Sequence, residues 1–306
     1  MEVWNIGTAR ISRIIEMVLP IKPQFLIPDA TPENLAPMES WLKPHFLLEG
    51  HRIPLSIHTF LIEVDGLRIL VDTCIGNDKP RDEPAWNARQ GDFLEQLSAR
   101  GAPADTIDFV LCTHLHVDHV GWNTRLVNGE WVPTFANARY LFGRTEWDFW
   151  ANETDPFGHQ ARGDSIEPII AAGRADFVAT DHVLCPSVRL VPTPGHTPGH
   201  VSVLIESGDA RAIITGDLFH HPCQFARPQW PDSADVDTVQ AAETRAQFMS
   251  RFSDGTLVLG THFASPTAGH IVAEGVAEGV AEGVAEGVAE GVADGVADRV
   301  EYRFRV

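Results

Sequence analysis

The stretch CTHLHVDHVGW, Cys112 to Trp122, places three histidines and an aspartate within six residues, directly after the apolar run Phe109-Val110-Leu111. Histidine and aspartate are poor core residues, so a cluster this dense has to be held by something that binds its members together. A metal is the first candidate. In His-x-His-x-Asp-His the first two imidazoles sit on alternate residues of an extended segment and point the same way. Asp118 and His119 turn the other way, so one short segment can serve two ions.

The same pattern recurs along the chain, with an apolar strand ending and His or Asp appearing at its C-terminal edge. DFVLCTHLHVDH carries His114, His116, Asp118 and His119, and VRLVPTPGHTPGH carries His196 and His200. ARAIITGDLFHH carries Asp217, His220 and His221, and GTLVLGTHF carries His262. Open sheets place ligand-binding residues outside the carboxyl ends of their strands, so four strands aim metal-compatible side chains at one rim. Two divalent ions held together call for several imidazole and carboxylate ligands with a bridging group between them, and the chain offers that set.

Length and composition narrow the function classes. A chain of 306 residues can bury a full multilayer core, and 44% hydrophobic with 21% charged residues is the balance of a soluble globular protein. The net charge of −19 opposes contact with phosphate backbones or anionic lipid, so neither nucleic acid nor membrane is an expected partner. The N-terminal residues show no basic head before an apolar signal core, and the expectation is a cytoplasmic protein. Cys74, Cys112, Cys185 and Cys223 are widely separated and form no CxxC pair, which reads as reduced structural thiols.

Residues 1–50 are rich in proline and read as an N-terminal arm, with a short helix near Pro32 to Met38, packed along the body or across a dimer partner. LSIHTFLIEVDGLRILVDTCIG reads as two strands joined at Asp65-Gly66, a type I′ hairpin signal. GDFLEQLSARG follows with helical spacing and a glycine stop. Residues 51–272 then form the expected catalytic domain. From Ala273 to Val300 the chain repeats Ala-Glu-Gly-Val through seven tetrads, ending in ADGV and ADRV. A four-residue period overshoots each helical turn by about 40°, so the valines wind around the rod instead of lining one face. The flanks AGHIV and EYRFRV, the latter including a terminal strand over 301–306, read as two sides of a hairpin whose turn the repeat expands.

HLHVDH, GHTPGH, TGDLF and GTHF, in this order after the strand LVDTCIG, resemble the metallo-β-lactamase-fold hydrolases, and the likeness spans roughly Ser56 to Val272. The resemblance implies an α/β fold, an αββα sandwich with a dinuclear site at its edge. It implies one ion on His114, His116 and His196, the other on Asp118, His119 and His262, and Asp217 between them. Asp72 would be a support orienting a ligating imidazole, or a plain turn residue. An aspartate at the bridging place speaks against β-lactam hydrolysis, and the tetrad repeat replaces the C-terminal helical domain of glyoxalase II. The remaining likeness is to the branch of acyl-homoserine lactone lactonases, pyridoxolactonase and methyl parathion hydrolase. The lactonases place a tyrosine three residues after the bridging aspartate, where this chain has His220.

The function implied is a dinuclear zinc-dependent hydrolase of small hydrophobic esters or lactones, with Mn, Co or Fe as other metals that suit the site. A hydroxide between the ions attacks the carbonyl, Asp118 shuttles the proton to the leaving alkoxide, and His220 or His221 could donate a hydrogen bond to the substrate. The alternatives are phosphotriester hydrolysis on the same site, or a persulfide dioxygenase-like centre with one iron. Trp147, Phe149, Trp150, Phe225 and Trp230 form either an aromatic pocket wall or core, and His200 reads as a hydrogen-bonding support. A homodimer is left open.

Overall fold

Runs rich in Ile, Val, Leu and Phe build two seven-stranded sheets in the structure, a computed structural model that describes residues 2–152, 160–274 and 301–306. The first sheet contains β1 (Val3–Ile6), β2 (Ala9–Ile21), β3 (Ile53–Val64), β4 (Leu67–Val71) and β5 (Phe109–Leu111). A small hairpin of β6 (Thr124–Val127) and β7 (Glu130–Pro133) leads back to it through β8 (Arg139–Gly143) and β9 (Ala175–Val178). Pairing is antiparallel from β1 to β4 and parallel across β4-β5-β8-β9.

The second sheet runs β10 (Val183–Cys185), β11 (Val188–Pro192), β12 (Val201–Ser207), β13 (Ala210–Ile214), β14 (Leu257–Leu259), β15 (Ala268–Glu274) and β16 (Glu301–Arg305). Only β13 and β14 pair in parallel. The helix Thr238–Phe252 bridges them, as a parallel connection requires.

Strand alternation decides the layers, because successive side chains point to opposite faces. Phe60 and Ile62 of β3 meet Val203 of β12 and Ile214 of β13 between the sheets. The intervening Leu61, with Leu70 and Val110, faces outward under Phe93 and Leu97 of the helix Phe93–Ala99. Likewise Leu204 and Ile213 face outward under Phe248 and Phe252 of the helix Thr238–Phe252. Three cores separate four layers in the order helix, sheet, sheet, helix.

The hairpin signal is realised at Asp65 and Gly66, with φ of 54° and 77°. The short helix falls at Pro32–Leu35, capped by Thr31, and continues as a 3-10 turn over Ala36–Met38. The N-terminal arm differs from expectation. β1 is the edge strand of the first sheet and β2 the strand next to it, and β2 pairs with β3 along nearly its whole length. Pro20 lies near the end of β2, opposite Pro54 of β3. Residues 23–47 then cross to cover the second sheet, burying Leu35, Leu42 and Phe46.

β15 and β16 pair antiparallel from His270↔Arg305 to Glu274↔Glu301, so the segments flanking the repeat are hairpin partners. Residues 275–300 of the repeat itself lie outside the described residues. The four cysteines are buried and free. Among the described residues no helix is long and apolar enough to cross a membrane.

Candidate metal centre

The exits of β5, β11, β13 and β14 lie at one edge of the sandwich, and the loops there bring the ligand-type side chains together. His114, His116, His196 and Asp217 have donor atoms within 4.8 Å of one another, and so do Asp118, His119 and His262. Asp217 Oδ2 is the hub, at 3.2 Å from the Nε2 atoms of both His119 and His262. It lies 3.7 and 3.6 Å from the Nε2 atoms of His114 and His196. All seven sequence-predicted metal residues therefore surround one point.

Outer partners fix which nitrogen of each ring faces inward. His119 Nδ1–H donates to Asp72 Oδ2 at 2.9 Å, His196 Nδ1–H to Asp235 Oδ1 at 3.0 Å, and His262 Nδ1–H to the Ser56 carbonyl at 3.0 Å. Carboxylates and carbonyls only accept, so in the neutral ring each Nε2 is the nitrogen that carries the lone pair and faces inward. His119 Nε2 and Asp217 Oδ1 are buried without a hydrogen-bond partner. Lone pairs and a carboxylate converging in a buried site leave room only for cations.

The spacing supports the same conclusion. His116 Nδ1 lies 2.9 Å from His114 Nε2 and 3.1 Å from His196 Nε2. Ligands on a tetrahedral zinc stand about 3.3 Å apart when each bond is about 2.0 Å. The donor set thus suits a divalent metal. Burial pushes the Asp217 carboxyl up, but His119, His262 and His220 overcome this and hold it well below the usual range. Metal loading at such a site releases protons and weakens as pH falls.

The sequence GHTPGH is shaped by close approach. A Cβ on Gly195 would sit 2.3 Å from the Ala241 nitrogen, and one on Gly199 would sit 2.2 Å from the Glu146 nitrogen. Each glycine lets the loop carrying His196 press against a helix. His200 is not directed at the hub. Its Nδ1–H donates to the Thr193 carbonyl at 3.0 Å, and its Nε2 accepts the Asp217 backbone N–H at 2.8 Å. Burial lowers its pKa to about 3, so it stays neutral and positions the backbone of Asp217.

The family now rests on observation. The metallo-beta-lactamase superfamily pattern matches residues 52–275. The chain belongs to the metallo-beta-lactamase superfamily. The N-acyl homoserine lactonase AiiA of Bacillus thuringiensis subsp. kurstaki is 24% identical over 180 residues, covering 55% of this chain and 65% of that protein. A probable metallo-hydrolase of Mycobacterium tuberculosis is 28% identical over 193 residues, covering 55% of this chain and 58% of that protein. The match therefore spans less than two thirds of either relative. Among solved structures, the hydrolase AbOPH of the beta lactamase superfamily superposes with a TM-score of 0.74 at 23% identity, covering 99% of this chain and 96% of that one. AidC, a dizinc quorum-quenching lactonase in complex with a product, gives 0.72 at 22% identity, covering 93% and 98%.

Around this superfamily centre, other expected residues fall differently. His220 is only 5% exposed, with Nε2 at 3.0 Å from Asp217 Oδ2 and Nδ1 at 3.4 Å from Asp232 Oδ2. Both its nitrogens face carboxylates, so it is not free to reach a substrate. His221 leaves the centre altogether and donates from Nε2 to the Phe46 carbonyl at 2.8 Å. Phe225 and Trp230 pack into the outer core of the second sheet, whereas the Trp150 ring lies 5.3 Å from that of His116.

Four supporting residues were not read from the sequence. Asp232 and Asp235 sit in PDSADVD, where acidic residues before a helix look like caps, as Asp237 in fact is. Arg245, buried in the Thr238–Phe252 helix, holds Asp235 at 2.6 Å. Glu146 lies inside RTEWDFW, where the aromatics are the stronger signal, and nothing in the sequence separates it from a surface glutamate.

Proposed function

We propose that this protein is a dinuclear metal-dependent hydrolase, zinc in the first instance, acting on lactone or ester bonds of small hydrophobic substrates. The observation that carries the reading is Asp217 Oδ2 amid His114, His119, His196 and His262, shared between two complete ligand groups. The full second group of Asp118, His119 and His262 supports two ions over a single iron. The lactonases among its relatives support the substrate class.

A pair of divalent ions, when bound, supplies Lewis acidity that activates water near neutral pH and polarises a scissile carbonyl. The residues of this chain do the rest. His114, His116 and His196 hold one ion, Asp118, His119 and His262 the other, and Asp217 keeps the two together. Asp118 is the more solvent-accessible of the two carboxylates, 13% against 3% for Asp217. It stands 3.6 Å from His119 Nε2 and 3.7 Å from His262 Nε2, at the rim, where it can carry a proton to a leaving alkoxide. His220 acts through Asp217 as a positioning residue, and Asp232 holds it there.

The test is a hydrolysis panel of lactones, aryl esters, phosphotriesters and β-lactams with zinc-loaded protein. Lactones or esters should be turned over fastest, with Asp217→Ala inactive. Fully loaded protein that prefers phosphotriesters, or cleaves nothing in the panel, rules out the proposed substrate class.

A further inference from the structure

Glu146 is 1% exposed, and among the described residues no Lys or Arg pairs with it. A buried carboxylate without a cation is costly unless donors satisfy it. Its donors are specific. Oε1 accepts the Leu115 backbone N–H at 3.1 Å and the Trp150 indole N–H at 2.6 Å, while Oε2 accepts the Gly199 backbone N–H at 3.0 Å. Leu115 lies between His114 and His116, and Gly199 lies in the loop that carries His196. One carboxylate therefore joins the two loops that supply all three imidazoles of the first ion.

The helix Arg144–Asn152 delivers this contact as a unit. Trp150 stands one turn after Glu146, fixes its Oε1, and lays its ring against His116. We infer that Glu146, held by Trp150, is the positioning residue of the three-histidine half of the centre, setting the distance between the His114–His116 segment and His196. This rests on the dinuclear reading above. A glutamine at this position has one acceptor oxygen and one NH₂ donor, so an N–H from one loop must then face another N–H. The carboxylate is the side chain that can accept from both loops at once.

The consequence is selective. Outer partners of metal ligands typically change metal affinity by about 10–100-fold. Glu146→Gln should lose the first ion at about 10–100-fold higher free zinc than the wild type does, and keep the second unchanged. Zinc content is measured after equilibration at graded free zinc. At limiting cobalt(II), the visible spectrum of Glu146→Gln should match that of His196→Ala, which lacks the same half. Glu16→Gln is the control. Glu16 is a second buried carboxylate, accepting from Ile75 N–H at 2.9 Å, Gly76 N–H at 3.1 Å and Trp122 Nε1–H at 2.8 Å, and joins no two ligand loops. It should retain both ions. Trp150→Phe, which keeps the ring and removes the donor, should weaken the first ion in the same direction by a smaller factor.

Two ions in Glu146→Gln at wild-type affinity, or equal loss of both, would overturn the inference. If Glu146→Gln does not fold, Trp150→Phe decides, and unchanged retention there overturns it as well. Wild-type protein holding fewer than two ions sinks the dinuclear reading and this one with it. Wild-type protein holding two beside an unaltered variant sinks this one alone.

Discussion

At the scale of single residues, each ligand is a metal-type side chain at a strand exit, while the groups that orient the ligands come from remote parts of the chain. Asp235 shows the difference. Burial pushes its carboxyl up, but His196 and Arg245 overcome this and hold it well below the usual range. In Asp235→Asn the single amide oxygen must accept from Arg245 and the Asp232 N–H, which can only donate, so the NH₂ is left facing His196 Nδ1 and the ring loses the acceptor that selects its tautomer. Zinc affinity should fall about 10–100-fold, read as the free zinc at half-occupancy. Unchanged affinity would mean that the ring is fixed by packing alone. His220→Ala tests the second positioning role. Removing the ring strips one partner from Asp217 and leaves Asp232 Oδ2 buried and unpaired, so zinc retention and turnover should fall together. A variant with full zinc and reduced turnover would instead place His220 in contact with substrate.

At the scale of elements, hairpins and helices were read where the signal is local, as at Asp65-Gly66 and Phe93–Ala99. β1, four residues long, and β2, whose charged residues find partners only in the fold, carry no such local signal, and neither do the remote supports of the ligands. Arg13 of β2 donates to the Phe263 carbonyl at 3.1 Å and to Ser265 Oγ at 2.7 Å, across to the loop that follows β14. Glu16 occupies a bulge between Ile15 and Met17 that turns its side chain toward Ile75 and Gly76. His221 likewise pins the covering segment 23–47 to the exit of β13. Burial lowers its pKa to about 4 from an ordinary 6.5, so the folded chain leaves it neutral where the unfolded chain protonates it. Its stability contribution is therefore complete above pH 6.5 and is lost as pH falls toward 4, about 3 kcal/mol in all. In metal-free protein, His221→Gln should lose less stability than wild type between neutral pH and the acid end of that window, measured by urea midpoints. Parallel losses would show that His221 is not the group that titrates. The terminal hairpin makes a different prediction. β15 and β16 already pair, so deleting residues 277–296 shortens only the connection between them. Hydrolysis should stay within about three-fold of wild type, because loop length is a weak term in stability. Loss of soluble protein or of zinc would show that the repeat belongs to the core or to a contact between copies.

At the scale of the whole molecule, the centre joins the two sheets. His114, His116, Asp118 and His119 follow β5 of the first sheet, while His196, Asp217 and His262 follow β11, β13 and β14 of the second. Without metal, the donors of the two sheets lose the cations that would join them across that seam, and contacts from the histidines to Asp217, the inter-sheet core and bonds such as those of Arg13 are what hold it. Ions that bind the folded chain alone add stability through mass action, about 4 kcal/mol at a free concentration a thousand times Kd. For a domain of more than about 150 residues each kcal/mol moves Tm by about 2–4 °C. Chelation near neutral pH should therefore lower Tm by about 10 °C, and adding back zinc should restore it. Asp217→Ala removes the carboxylate that would face both ions of the proposed centre, so chelation should lower its Tm by much less. The outcome that would sink the clamp is wild-type protein stripped of metal, shown by elemental analysis, that melts where the loaded protein does. In that case the sheets are held at the rim by their own core, and the ions serve the chemistry alone.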